Sequence, residues 1–324
     1  MIAKSITTAS YSVHTSKSAR EFLDYLLISA DHWRGANRGD LAYRGQASSE
    51  WPPLPKAFRP AERIGYGPNA PTPHLTRVEP QAQAEFRTLL EFVKSADDAG
   101  LEVTEAGGRL LLQENPRLFF GDPNWEYSWP QDEVLETLAL AQHHGAPTRL
   151  LDFTEDPLVG AYFAASTAWD PKRGQRVRGL GRKPMSVWVI DLRFIRALDA
   201  VDHRYKERIG QIRVPRANNS YINAQSGFFL IDRGANDVMI QEGPLSVAQV
   251  AVERANFWRV GNRLASRRIK QTWFDEIPVK QVSLPANQTK ALLQELERRG
   301  ITKATLMPNL DRVVESLELR RSTA

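Results

Sequence analysis

The stretch Ala141-Gln142-His143-His144-Gly145-Ala146-Pro147-Thr148-Arg149-Leu150-Leu151-Asp152-Phe153-Thr154-Glu155-Asp156-Pro157 constrains the fold of this chain more than any other. Val134, Leu135, Leu138 and Ala141 recur at helical spacing and predict a helix over 131–143. Gly145 suits the left-handed position past its last turn, and Pro147 requires extended chain before it. In the next segment Thr148, Leu150, Asp152 and Thr154 fall on one face of a strand, with Arg149, Leu151 and Phe153 on the other. Asp156 before Pro157 is an N-cap and N1 pair, opening a helix through Leu158, Ala161, Tyr162 and Ala165. A short strand with a polar face, ending where the free N–H groups of a helix point outward, is a favoured place for a binding site.

At 324 residues, with no internal repeat and no evident linker, the chain is expected to form one α+β domain over 1–324. Its central sheet should be mixed or antiparallel, with flanking helices. The absence of cysteine excludes disulfides, thiolate metal sites and a cysteine nucleophile. A formal charge of +5 is compatible with a polyanionic partner without requiring one. No apolar run reaches membrane-spanning length and residues 1–10 lack a signal-peptide core, so a cytoplasmic protein with no membrane partner is expected. There is no Walker A loop, no GxGxxG after a strand, no G-x-S-x-G elbow and no paired zinc-ligand motif.

Elsewhere, Ser18 and Glu21 form a capping box for a helix reaching about Trp33. Leu41 to Gln46 reads as a strand, and the proline-rich 51–59 as an extended loop pinned by Trp51 and Leu54. A mobile insertion is expected near 60–80, a helix over 81–99 stopped by Gly100, and irregular chain over 107–129. Further strands are predicted over 186–191, 227–231 and 279–284. Asn287 should cap a helix ending at Gly300, and a short helix should close the chain over 311–320.

Arg44 lies inside a strand beside Gly45, where it needs a partner or a pocket. It is either a structural ion pair, with Asp152 as the favoured partner, or an anion clamp for phosphate or carboxylate. His143 and His144 diverge by about 100° on a helix. With Asp152 they form no familiar metal spacing, so one is read as a core histidine, the other as a site residue, and no metal is expected. Thr148 and Thr154 cap the following helix or line a pocket, and Arg149 is read as a structural bridge. Gln225 enters a strand and gains meaning only beside Arg44. Lys172, Arg173, Arg176, Arg178, Arg182 and Lys183 form a basic loop near 171–184 with no acidic residue. It is either a solvated loop or a contact for a nucleic-acid backbone.

Tyr43-Arg44-Gly45-Gln46 with Trp51, Leu54, Pro55 and Arg59 resembles the opening of the FRG domain family. Residues 142–154, running on to Ala161-Tyr162-Phe163-Ala164, resemble its longest signature. Residues 224–229, 300–301 and 307–310 resemble its later motifs, so the likeness spans about 18–317. Phe153 stands where tryptophan is commoner. The family is bacterial and phage-associated, which implies an intracellular conflict role such as toxin or phage defence. A second likeness is to ADP-ribosyltransferases of the Arg-Ser-Glu type, and it implies an ADP-ribosyltransferase-like sheet and NAD as the ligand. On that likeness Arg44, His143, Thr148, Asp152 and Gln225 would be the catalytic set. Arg44, Gln46, Gln142, His144, Thr154 and Phe163 would hold the nucleotide, with Arg44 on the pyrophosphate and Phe163 beside the nicotinamide. Gln225 replaces the family's glutamate. An amide holds a ribose but cannot act as a base, so Asp152 or Glu155 would have to stabilise an oxocarbenium-like centre. The rival readings are a non-catalytic module that binds nucleic acid or a partner protein, and a metal-dependent nuclease.

Overall fold

A computed structural model describes residues 11–27, 31–33, 35–59, 78–201, 208–213, 224–236, 246–261 and 278–323. The insertion expected near 60–80 falls mostly at 60–77, outside the described residues. The strands are β1 (Ser12–Thr15), β2 (Leu41–Gln46), β3 (Leu151–Thr154), β4 (Trp169–Asp170), β5 (Gln175–Arg176), β6 (Met185–Asp191), β7 (Ile209–Ile212), β8 (Gly227–Asp232) and β9 (Val279–Leu284). Seven of them form one sheet in the order β1-β9-β6-β2-β3-β8-β7, while β4 and β5 make a separate two-stranded ribbon. Only β1–β9 is parallel, so the sheet is mixed and the class is α+β as expected.

Helices cover the sheet in three groups. Over β9, β6 and β2 lie α1 (Ala19–Leu26), α6 (Pro157–Ala168) and, from the C-terminal part, Thr289–Arg298, joined through Phe22, Tyr43, Val187, Val282 and Leu292. On the other face α7 (Leu192–Val201) and α8 (Val247–Gly261) pack on Leu151, Phe153, Trp188, Phe228 and Leu230. Phe229 and Ile231, alternating with those last two, meet a third group with Leu150. That group comprises α2 (Val78–Asp98), α3 (Glu105–Leu112), α4 (Pro116–Phe120) and α5 (Leu135–His143). The remaining helices are α9 (Thr289–Arg298, above), α10 (Lys303–Leu306) and α11 (Leu310–Thr323). No described helix is long and apolar enough to cross a membrane.

Several expectations need correction. The stretch 107–129 is largely helical: Thr104 caps α3, Asn115 and Pro116 start α4, and Trp125 and Trp129 pack on Phe86. Its helices gain their stability from that aromatic packing, which local composition does not reveal. The first helix stops at Leu26, with a separate turn at Asp31–Trp33. Trp51 is 48% exposed, while Leu54, as expected, and Phe58 pack into a small core cluster. Asn287 sits in a 3-10 turn, and Gln288 occupies the cap position. The strand expected from Thr148 begins at Leu151, because Thr148 folds back to bond Gln142 and the Leu150 amide.

Two contacts set the frame. Arg149, buried with 2% of its side chain exposed, grips Glu85 of α2 through Nε at 2.8 Å and Nη2 at 2.9 Å. Its Nη1 donates to the Trp129 carbonyl and to Asn236. At the second contact, a Cβ on Gly45 would stand 2.1 Å from the Gly160 carbonyl oxygen and 2.4 Å from the Ala164 nitrogen. Only glycine lets α6 lie that close to β2. Glu85→Gln should therefore cost about 3–5 kcal/mol by stranding a buried guanidinium. Exposed Glu91→Gln on the same helix should stay within about 0.5 kcal/mol. Gly45→Ala should cost about 1–3 kcal/mol or more, all three read from urea midpoints.

Candidate functional site

β2 pairs with β6 along its whole length but with β3 only at Tyr43–Thr154. Beyond that point the two strands part, and the gap opens into a cavity of about 300 Å³. Arg44 closes the inner end. Its Nη1 donates to the Asp152 backbone carbonyl at 2.7 Å, a group that faces no ladder partner on this side, and lies 3.5 Å from Asp152 Oδ2. Arg44 is 16% exposed and Asp152 56%, so the pair is rooted in the protein and open at the carboxylate.

A hydrogen-bond chain orients that carboxylate. The Leu150 amide donates to Thr148 Oγ1, whose own proton goes to Gln142 Oε1 at 2.8 Å. This turns the Gln142 amide nitrogen toward Asp152 Oδ2, at 3.0 Å. Oδ2 thus faces both Gln142 and Arg44, while no bond from a described residue reaches Oδ1. Burial draws the Arg44 pKa below its ordinary value, Asp152 opposes this, and nearby Arg59 adds to the lowering. Arg44 Nε is buried without a partner among the described residues.

His143, at the end of α5, lines the cavity. Burial lowers its pKa first, neighbouring His144 lowers it further, and Asp152 raises it. His144 points away: it is exposed, stacks toward Phe92 at 6.4 Å, and is absent from the cavity wall. Thr148 and Gln46 are buried and do not line the cavity. Phe163 lines the wall and Thr154 its edge, where Thr154 Oγ1 donates to the Gln225 carbonyl and accepts from the Asp156 amide. Gln225 also lines it, with its side-chain amide donating to the Leu306 carbonyl at 3.1 Å. Glu155 is buried elsewhere, paired with Arg213 and, at 3.9 Å, Arg38, which leaves Asp152 as the cavity's carboxylate. Sequence reasoning missed Thr167 and Met307 on the wall. Thr167 was findable, since it follows Phe163 by one helical turn.

Part of this wall, from Gln142 to Thr167, lies within a family match. The family model for the FRG domain matches residues 114–173, which hold α5, β3 and α6. The chain carries an FRG domain. No curated protein and no solved structure matches it.

None of the six basic residues over 172–183 lines the cavity. Arg173 pairs with Asp170 at 3.5 Å, Lys183 with Glu50 at 2.5 Å, and Arg176 donates to the Ala47 carbonyl. Lys172, Arg178 and Arg182 are exposed and carry no ion pair among the described residues. No group of three histidine, aspartate or glutamate side chains among the described residues is placed to hold a metal ion.

The His143 environment makes a signed prediction. Its NMR titration midpoint should lie below 6.5, fall further in Asp152→Asn and rise in His144→Gln. Stability should correspondingly drop as pH falls just below 6.5, because the unfolded chain takes up that proton first.

Proposed function

We propose that the FRG-domain cavity binds a phosphorylated nucleotide, NAD foremost, and supports ADP-ribosyl transfer or NAD cleavage in a cytoplasmic toxin or phage-defence effector. The observation that carries this reading is the Arg44–Asp152 pair on an open wall, with no bond from a described residue to Asp152 Oδ1. An ionised oxygen beside a guanidinium suits the hydroxyls of a ribose, which both donate and accept. Phe163 and Met307 supply an apolar surface for a base or nicotinamide ring. A volume near the lower end of ligand pockets takes one sugar and ring, leaving phosphates at the mouth. Because Asp152 already neutralises Arg44, this reading moves the arginine from the pyrophosphate to the sugar.

In the reaction, the ribose–nicotinamide C–N bond breaks, its electron pair leaves with nicotinamide, and water or an acceptor nucleophile bonds the ribose carbon. Asp152 would stabilise the positive centre formed on the way. Gln142 and Thr148 act as positioning residues that hold the carboxylate aimed. His143, whose pKa burial holds below its ordinary value, stands on the same wall, as the group that would receive the nucleophile's proton.

Incubation with NAD, with and without nucleic acid or protein acceptors, should release nicotinamide. Asp152→Asn should reduce the rate by about 10²–10³, and Arg44→Ala should abolish the thermal stabilisation by NAD while the far-UV spectrum persists. Absence of both release and stabilisation overturns the reading. The exposed cations Lys172, Arg178 and Arg182, which have no ion pair among the described residues, favour a second one, a non-catalytic nucleic-acid module. That reading requires steeply salt-dependent binding lost in the triple alanine variant.

A further inference from the structure

Helix α11 has two different faces. Inward, Leu319 packs against the main core, Trp169 Nε1 donates to Ser322 Oγ at 2.9 Å, and Gln294 donates to the Thr323 carbonyl. Outward, Leu310, Val313, Val314 and Leu317 are 84%, 42%, 57% and 41% exposed. Their i, i+3, i+4, i+7 spacing puts them on one stripe two turns long. Single exposed apolar residues are ordinary, but an ordered row on one helix face is the pattern of a helix-binding surface.

Charge beside the row says what fits. Asp311 and Glu318, seven residues apart, lie along one flank, both exposed and without an ion pair among the described residues. Glu315, farther round, is already bonded to Arg312 and Lys303. On the other flank Arg320 is bonded to Glu297. The stripe is therefore edged along Asp311 and Glu318 by negative charge, with exposed Arg321 standing at its C-terminal end.

We propose that the stripe Leu310–Val313–Val314–Leu317 is the docking site for an amphipathic helix of a protein partner that carries basic residues along one flank. Its apolar side chains interleave with the four exposed ones, and its cations meet Asp311 and Glu318. A second copy of this chain is the poorer occupant. An antiparallel two-fold pair keeps each flank on the same side and sets the two acidic rows against each other, and each copy also carries +5. The stripe starts three residues after Met307, which lines the cavity, and Gln225 ties the Leu306 carbonyl to the same wall. The docking itself stands independently of the nucleotide reading.

Fluorescence anisotropy tests it with a labelled amphipathic peptide bearing leucines at i, i+3, i+4 and i+7 and lysines on one flank. A second peptide carries glutamates in place of the lysines. The basic peptide should bind at least about tenfold tighter than the acidic one, a gap of about 1.4 kcal/mol. Val314→Asp should remove binding with an unchanged melting temperature, since the side chain faces solvent, and Glu318→Lys should narrow or reverse the preference. Equal binding of the two peptides, or binding unaffected by Val314→Asp, overturns the proposal. A dimer by light scattering that Val314→Asp dissociates would also overturn it, by making the occupant a second copy.

Discussion

The buried pair between Arg149 and Glu85 decides where the polar strand can lie. A guanidinium taken out of water must keep its partners, and here it has two carboxylate oxygens, a backbone carbonyl and the Asn236 amide oxygen. Those partners come from α2, from the loop at Trp129 and from the end of β8, so one side chain gathers three distant parts of the chain. With Arg149 anchored inward just ahead of β3, the strand enters the sheet in one register. Leu151 and Phe153 then turn to the α7–α8 layer and Asp152 turns to the cavity.

A second constraint acts at the other wall. Close approach of α6 to β2 at Gly45 leaves no room for a side chain there, and it brings Phe163 and Thr167 of that helix over the gap between β2 and β3. The gap would expose the Asp152 carbonyl to no partner if Arg44 did not reach across it. The same arginine thus mends the interrupted ladder and meets the carboxylate on the next atoms of the same residue. Structural and ligand-facing roles coincide in one guanidinium, which is why the two readings of Arg44 are not exclusive.

The electrostatic character of the cavity follows from this pairing. A lone arginine would make an anion hole; an arginine matched by Asp152 makes a wall that is polar, oriented and nearly neutral. Thr148 and Gln142 contribute from behind, through hydrogen bonds that leave one carboxylate oxygen open. Residues that never touch a ligand can in this way determine what the exposed atom is able to do.

Local rules were readable in the residues themselves. Gly145 adopts φ +96°, Asp156 caps α6 ahead of Pro157, and β2 and β9 occupy the residues their alternation and branching foretold. The pairing of Arg44 with Asp152 could also be anticipated, because a strand arginine needs a nearby acid. Each of these depends on contacts within a few residues or on a charge that must be matched. The tertiary structure alone decided that Arg149 joins Glu85 across 64 positions, that His143 faces the cavity while His144 faces Phe92, and that Glu155 is held by Arg213 and Arg38. It also decided that the proline- and tryptophan-rich stretch before α5 would be helical. These outcomes depend on which surfaces meet when the layers close, and packing between distant segments leaves no periodic trace in the chain.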